Sequence, residues 1–493
     1  MAGIVSFGAY IPRLRLSRKL IHQAMGWFNP ATASAARGER AVANHDEDSL
    51  TLLVAAGRDA LAGRERTQVD GLVVASTSLP YAERQNGAIA AAALDLPEGA
   101  RTTDLGGSTR SGTSAVLAGL DAVAAGSCRE VLVAAADCRQ ARSGSRQEHL
   151  YGDAGAALLL GDEGCLATLV ASASVHADLG DLRRPVGEEF PRLWEERWAR
   201  DEGPARFLRQ AAQECLRRAD VAPAALARVV VAGADARLAG ALLKKLGLPP
   251  DRLQDNLAST VGDAGAALPL LLLAAALEQA APAEDILVLS YSSGADALLF
   301  RTTDRIADSR PARGVAGHLA RRSPLESYEK LLAFRRLLPL ELGIRGETVA
   351  PTALSVLWRN RRAFYGLYGH RCTRCGTPHF PPLRTCVVPG CGAVDEFSPY
   401  PFADRTGTLF TYTSDNLAFS VDPPALYGLV DFAGGGRLFL DLTDCRAEEL
   451  AVGLSVEPTF RRKYLDPAGG VHGYFWKACP CWTPPDDASP RAH

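Results

Sequence analysis

Four cysteines in two short loops are the residues whose types and spacing most directly imply chemistry. Cys372-Thr-Arg-Cys375 and Cys386-Val-Val-Pro-Gly-Cys391 are separated by ten residues, and Gly376 and Gly392 follow the second cysteine of each loop. Zinc takes four soft ligands in a tetrahedron, and two such knuckles supply them. A redox dithiol is the rival for a single CxxC, but two paired loops favour a structural zinc ribbon. A closed four-cysteine site leaves no position for substrate, so its role is in folding. Cys479-Pro-Cys481 is spaced too tightly for a second site. Cys128, Cys138, Cys165, Cys215 and Cys445 fall in or beside apolar segments, where cysteine is usually an inert core residue.

Other clusters weigh less. Gly107-Ser-Thr-Arg-Ser-Gly-Thr-Ser mimics a phosphate-binding loop, yet Thr113 stands where lysine is required. His45-Asp-Glu-Asp48 could hold a metal, but a solvated helix N-terminus explains it more simply. Arg361-Arg362 and Arg461-Arg-Lys463 lie near aromatics, a pattern that suits nucleic acid. Against that, 54 Lys+Arg balance 56 Asp+Glu, so the chain has no bulk attraction for nucleic acid or an anionic membrane.

The elements that must position these residues fall into three regions. Residues 1–305 alternate strand and helix, with continuous apolar runs such as Glu130-Val-Leu-Val that predict strands covered on both faces, hence a layered α/β fold. The region repeats itself. Leu72-Val-Val-Ala-Ser-Thr is echoed by Val229-Val-Val-Ala-Gly-Ala, Asp104-Leu-Gly-Gly-Ser-Thr by Asn256-Leu-Ala-Ser-Thr, and Gly155-Ala-Ala-Leu-Leu-Leu by Gly294-Ala-Asp-Ala-Leu-Leu-Phe. A pseudo-duplicate with halves 1–178 and 179–305 is expected, then a helical connector at 306–360. The cysteines mark a ribbon at 361–398. Short strands broken by turns, including a Gly434-Gly-Gly hairpin, suggest a small OB-type barrel at 399–482. A disordered tail is expected at 483–493. The apolar run 264–277 is shorter than the ~20 residues a membrane span needs, so a buried helix is expected. With no targeting signal in its first residues, the chain is expected to be soluble and cytoplasmic.

The opening Gly3-Ile-Val-Ser-Phe-Gly-Ala-Tyr-Ile-Pro-Arg-Leu-Arg-Leu, with Gly38-Glu-Arg-Ala-Val-Ala-Asn-His-Asp-Glu-Asp-Ser-Leu-Thr, resembles archaeal-type 3-hydroxy-3-methylglutaryl-CoA synthases. That resemblance implies the thiolase fold, a layered α/β/α/β/α arrangement of two pseudo-repeated halves, and a homodimer formed through it. Residues 361–482 resemble the zinc-ribbon/OB-fold proteins that accompany thiolase-like enzymes and help bind acyl-CoA. Pro381-Pro-Leu-Arg and Gly436-Arg-Leu-Phe-Leu-Asp-Leu carry this match beside the four cysteines. On this resemblance the arginine clusters would meet CoA phosphates rather than nucleic acid.

The synthases use a cysteine at a helix N-terminus to accept the acyl group. By the same resemblance, Thr109 of Asp104-Leu-Gly-Gly-Ser-Thr109 occupies that position, Ala232 that of the family's histidine, and Asp263 that of its asparagine. The acidic residue after the early strand falls near Thr77, with Glu83 the next carboxylate downstream. Ordinary cysteine-mediated condensation is therefore not expected. One reading is non-covalent aldol, retro-aldol or acyl-transfer chemistry on a CoA thioester, with Asp263, Tyr151 and His149 as acid/base candidates and Ser108 and Thr109 as hydrogen-bond donors. For each, ordinary packing or turn capping is the competing explanation. The other reading is a catalytically silent acyl-CoA-binding partner of an active thiolase-like protein.

Overall fold

The computed structural model describes residues 2–307, 311, 313–347 and 350–481. The tail expected at 483–493 lies outside the described residues. The chain forms two compact units: residues 1–43, 48–91 and 96–331, and residues 44–47, 92–95 and 332–493.

The first unit contains a nine-stranded sheet among the described residues. In its first half, Gly3–Tyr10, Ala154–Gly161, Glu130–Asp137, Val69–Ala75 and Arg101–Leu105 are successive neighbours. In its second half the order is Ala167–His176, Gly294–Thr302, Asp285–Tyr291 and Leu226–Ala232. The first four strands of one half correspond in order to the four of the other, so the repeat read from the sequence is a structural duplication. Among the described residues the fifth strand, Arg101–Leu105, is matched only by a single parallel bridge between Val229 and Leu253. Gly3 and Ile4 join the halves by pairing with Thr168 and Ala167.

Helices cover both faces. Ser49–Ala60 packs on the first half and Pro204–Ala219 on the second. Asp48 caps the former, accepting from the Thr51 amide at 3.0 Å while Thr51 Oγ1 accepts from the Asp48 amide. Leu268–Gln279 follows the expected apolar run. It is buried from Leu268 to Leu277 and packs on strands of both halves and against Ser111–Ala124. A helix apolar all round needs such enclosure. No helix among the described residues is long and apolar enough to cross a membrane. The helix Asn86–Ala93 follows the strand Val69–Ala75 in the chain.

In the second unit, Tyr368–Cys372 pairs with Pro378–His379 and Phe397–Pro401 around the cysteine loops. Five antiparallel strands follow, ordered Arg437–Asp441, Ala425–Phe432, Gly407–Asp415, Ser455–Asp466, Val471–Pro480. A bridge between Leu442 and Ala478 brings the first of these to the last and closes the barrel. Gly434, Gly435 and Gly436 all take positive φ in the expected hairpin.

Two expectations are corrected here. The His45–Asp48 run is not a solvated helix end: Asp46 and Glu47 are buried and belong to the second unit. Asp46 accepts from Thr443 Oγ1 at 2.9 Å and pairs with Lys477 at 2.9 Å. Glu47 pairs with Arg461, which also meets Asp444 at 2.6 Å. Arg461 is therefore buried and neutralised rather than free for phosphate. Lys463 is paired with Asp441 at 2.7 Å. Buried charges need such partners, and sequence-local reasoning cannot see a partner 400 residues away.

Burial alone would raise the Asp46 carboxyl, but Lys477 and Arg461 hold it well below the ordinary carboxylate range. Its contribution to stability is thus complete above an unfolded-state value of about 4 and is lost as the pH falls below that. Asp46→Asn should cost about 3 kcal/mol at pH 7. Urea midpoints should show the gap from the parent narrowing toward pH 3, and a constant gap would contradict this account.

Candidate functional site

The site is built where parallel strands end. Val69–Ala75 runs parallel to Arg101–Leu105 and Glu130–Asp137, and Leu226–Ala232 runs parallel to Asp285–Tyr291. Chain leaving the C-terminal ends of such strands is where α/β folds place ligands. Around these ends lies a cavity of about 660 Å³ whose wall includes Thr109, Arg139, Tyr151, Ala232, Asp263 and Ser292. Thr109, Ala232 and Asp263, remote in sequence, therefore share one cavity. No cysteine lines it among the described residues.

Asp137, at the end of its strand, fixes the surroundings. Its buried carboxylate accepts from Ser76 Oγ at 2.9 Å, the Thr77 amide at 2.7 Å, Ser78 Oγ at 2.8 Å and the Ala266 amide at 2.7 Å. Gly265 has φ +57°, and a Cβ there would lie 2.2 Å from Asp137 Oδ2, so glycine is required for this approach.

Arg139, two residues on, is buried and reaches the opposite loop. Its Nη2 lies 2.6 Å from Asp263 Oδ2 and donates to the Asp263 carbonyl at 3.0 Å. Its guanidinium carbon sits 3.9 Å from the centroid of the Tyr151 ring. Burial opposes its charge, yet Asp263, Tyr151 and Asp137 together hold it above its ordinary value. The Asp263 side chain remains 43% exposed, so the carboxylate is held by Arg139 and still open to the cavity. Burial, reinforced by Asp263 and Asp137 and opposed by Arg139, pushes the Tyr151 phenol up. That hydroxyl is buried and has no hydrogen-bond partner among the described residues. A carboxylate and a protonated phenol are thus held near one guanidinium.

Thr109 stands just before the Ser111–Ala124 helix. Thr113 in that helix donates to buried Asp296 at 2.7 Å, and Arg110 pairs with the same carboxylate at 2.8 Å. Ser108 is outside the cavity wall and accepts from the Arg110 amide at 3.1 Å. His149 is also outside the wall. It is fully buried, with Nδ1 3.0 Å from the Ser145 carbonyl, and burial lowers its pKa. Thr77 is engaged by Asp137, and Glu83 is exposed. The structure thus gathers Thr109, Tyr151 and Asp263 but not Ser108 or His149. Sequence reasoning missed Asp137 and Arg139. Their signal is two charges within three residues at the end of a wholly apolar strand.

The four cysteines form a separate cluster in the second unit, with every sulfur within 4.8 Å of the others. Cys372 and Cys391 are 3.7 Å apart, and Cys375 and Cys386 are 3.6 Å apart. A tetrahedron with metal–sulfur bonds of about 2.3 Å has sulfurs about 3.8 Å apart, so the geometry fits such an ion. Gly376 and Gly392 take positive φ in the turns that close the knuckles. His379 Nε2 lies 3.4 Å from Cys386 Sγ.

Comparison with known proteins finds relatives of two kinds. Residues 400–461 match the family model described as ChsH2, C-terminal OB-fold domain. The hydroxymethylglutaryl-CoA synthase of Methanopyrus kandleri is 30% identical over 317 residues, covering 62% of this chain and 89% of that protein. The enzyme of Pyrobaculum neutrophilum is 27% identical over 346 residues, covering 69% and 98%. A solved HMG-CoA synthase complexed with CoA superposes with a TM-score of 0.61 at 19% identity, covering 71% of this chain and 94% of that one. The 3-oxoacyl-(acyl carrier protein) synthase III of Pseudomonas aeruginosa PAO1 gives 0.56 at 22%, covering 61% and 98%. These solved neighbours share the thiolase fold. With its duplicated α/β unit matched along nearly the whole length of such relatives, the chain belongs to the hydroxymethylglutaryl-CoA synthase family.

Proposed function

We propose that the cavity binds a CoA thioester and makes or cleaves a carbon–carbon bond by aldol-type chemistry, without a covalent acyl-enzyme. The observation that carries this reading is the shared cavity itself. It joins a cavity-facing carboxylate, a protonated phenol with no partner and a threonine at the helix entrance, with no cysteine in its wall among the described residues. In the cleavage direction, Asp263 accepts the proton of a β-hydroxyl. The electron pair of the Cα–Cβ bond passes to the thioester as an enolate while the Cβ carbonyl forms. Tyr151 donates a hydrogen bond to the enolate oxygen, and the proton held by Asp263 is then returned to Cα to give the shortened thioester. Thr109 adds a second donor. Arg146, exposed on the cavity's wall and without a carboxylate partner among the described residues, suits a CoA phosphate. A solved family member carries CoA, which supports the ligand class.

The salt bridge from Arg139 favours a second reading, because a carboxylate that neutralises a buried guanidinium is already committed to a structural role. Here the unit presents thioesters to an active thiolase-like partner without turning them over. For either reading, the edge strand Arg101–Leu105 is a natural seam for a homodimer, since it has a strand neighbour on one side only among the described residues. In the second unit we assign the four-cysteine cluster to structural zinc, with Cys372, Cys375, Cys386 and Cys391 as ligands. The protein is taken to work in the cytoplasm.

Incubating the full chain with a panel of β-hydroxyacyl-CoA thioesters, followed by mass analysis, should reveal a shortened CoA thioester and a released carbonyl compound. Asp263→Ala and Tyr151→Phe should each lower that rate by about a hundred-fold. Thioester binding without turnover, with activity appearing only on co-expression with a thiolase-like protein, would select the silent reading instead. Elemental analysis should find one zinc per chain. Cys386→Ser should abolish it and lower the melting temperature of the second unit, whereas an unchanged zinc content would remove the assignment.

A further inference from the structure

Small residues dominate one wall of the cavity. The strand Leu226–Ala232 brings Val231 and Ala232 to it, and Gly233, Ala234 and Ala236 follow. Gly233 has φ +79°, and a Cβ there would lie 2.4 Å from the Tyr291 carbonyl oxygen. The backbone itself therefore excludes a side chain at 233, and residue 232 contributes only a methyl group.

The segment between Ala167–His176 and Pro204–Ala219 supplies another apolar wall. Leu182–Arg183 pairs antiparallel with Arg192–Leu193, which sets Leu182 directly opposite Leu193, and both leucines line the cavity. Ala199 of the helix Glu196–Glu202 joins them. This wall is anchored. Tyr291 Oη donates to Asp181 at 2.8 Å, and Gly203 permits the close approach, since a Cβ there would lie 2.3 Å from the same oxygen. Two of the wall's acids are also engaged: Asp181 by Tyr291, and Asp235 by the Leu238 amide at 2.8 Å.

We infer that the acyl group taken by this cavity is an extended or branched apolar chain, larger than acetyl, and that Ala232 with the Leu182–Leu193 pair sets its size. This rests on the cavity being a thioester site, as proposed above. A volume of about 660 Å³ lies within the ~300–1,000 Å³ of sites that enclose drug-sized ligands, and with the pantetheine arm of CoA taking part of it, the space beside Ala232 and the leucine pair is left for an acyl chain. Thr109, Arg139, Tyr151 and Asp263 offer the thioester polar partners, while Ala232, Leu182, Leu193 and Ala199 offer the chain beyond it apolar surface beside the exposed Glu196, Arg197 and Arg200. Unfilled apolar surface gains nothing, so affinity rises with each methylene that enters, by up to about four-fold.

Calorimetric titration of the full chain with free CoA, acetyl-CoA, butyryl-CoA, isovaleryl-CoA and octanoyl-CoA tests this. Affinity should rise at least about ten-fold from acetyl to octanoyl. Ala232→Leu should remove that gain while leaving affinity for free CoA within about two-fold. Leu193→Asp, at a partly exposed position where folding is less at risk, should reduce it in the same way. Equal affinity across the series, or a preference for acetyl-CoA, would overturn the inference and leave the thioester reading intact. Failure of every thioester and of CoA itself to bind would overturn both.

Discussion

A carboxylate withdrawn from water must find its hydrogen bonds within the protein, and Asp137 finds them in both halves of the duplicated unit. Ser76, Thr77 and Ser78 donate from the first half and the Ala266 amide from the second. Each lost donor would leave a buried charge short of a partner, at a cost of about 1–3 kcal/mol or more. The strand end at 137, the 76–78 loop and the turn entering Leu268–Gln279 are thereby held in one arrangement. That helix then packs on strands of both halves, so the buried polar node and the apolar core enforce the same relation between them.

Arg139 carries the constraint into the cavity. A buried guanidinium is tolerable only if carboxylate, carbonyl and ring surround it, and Asp263 and Tyr151 supply all three. Position 263 is therefore occupied by a residue that both neutralises Arg139 and faces the cavity. Its basicity and its structural duty are coupled: whatever frees Asp263 for proton transfer must leave Arg139 another anion. On the proposed reading, the oxyanion formed from the thioester is one such partner.

Local signals in the sequence reported the elements well. Continuous apolar runs gave the doubly covered strands, and the order of repeated segments gave the duplication. The all-apolar stretch ending at Leu277 gave the buried helix, and the spacing of cysteines and glycines gave the knuckles. What stayed hidden depends on pairing across long separations. Asp46 and Glu47 look like an ordinary acidic helix start, and only Lys477 and Arg461, more than 400 residues later, make them buried ions. Arg139 carries no motif, and its importance emerges only when the 263 loop is placed beside it. His149 and Tyr151 sit two residues apart and look equivalent in sequence, yet one faces the Ser145 carbonyl and the other the cavity.

Thr109, Ala232 and Asp263 meet because strand ends, not the side chains themselves, fix their positions. A fold of this kind can exchange the groups in its cavity without moving its backbone, so fold alone does not settle the reaction. The side chains argue jointly in a way that none does singly. A methyl at 232 leaves space in the cavity, an acid at 263 answers Arg139, and on the proposed reading a hydroxyl at 109 donates to a ligand oxygen. A purely structural account explains the Arg139 pairing, whereas the buried Tyr151 hydroxyl has no partner among the described residues, and a buried hydroxyl left without one costs about 1–3 kcal/mol. A ligand oxygen beside the Arg139 guanidinium would meet that need, and it is the position a thioester carbonyl would take on the proposed reading.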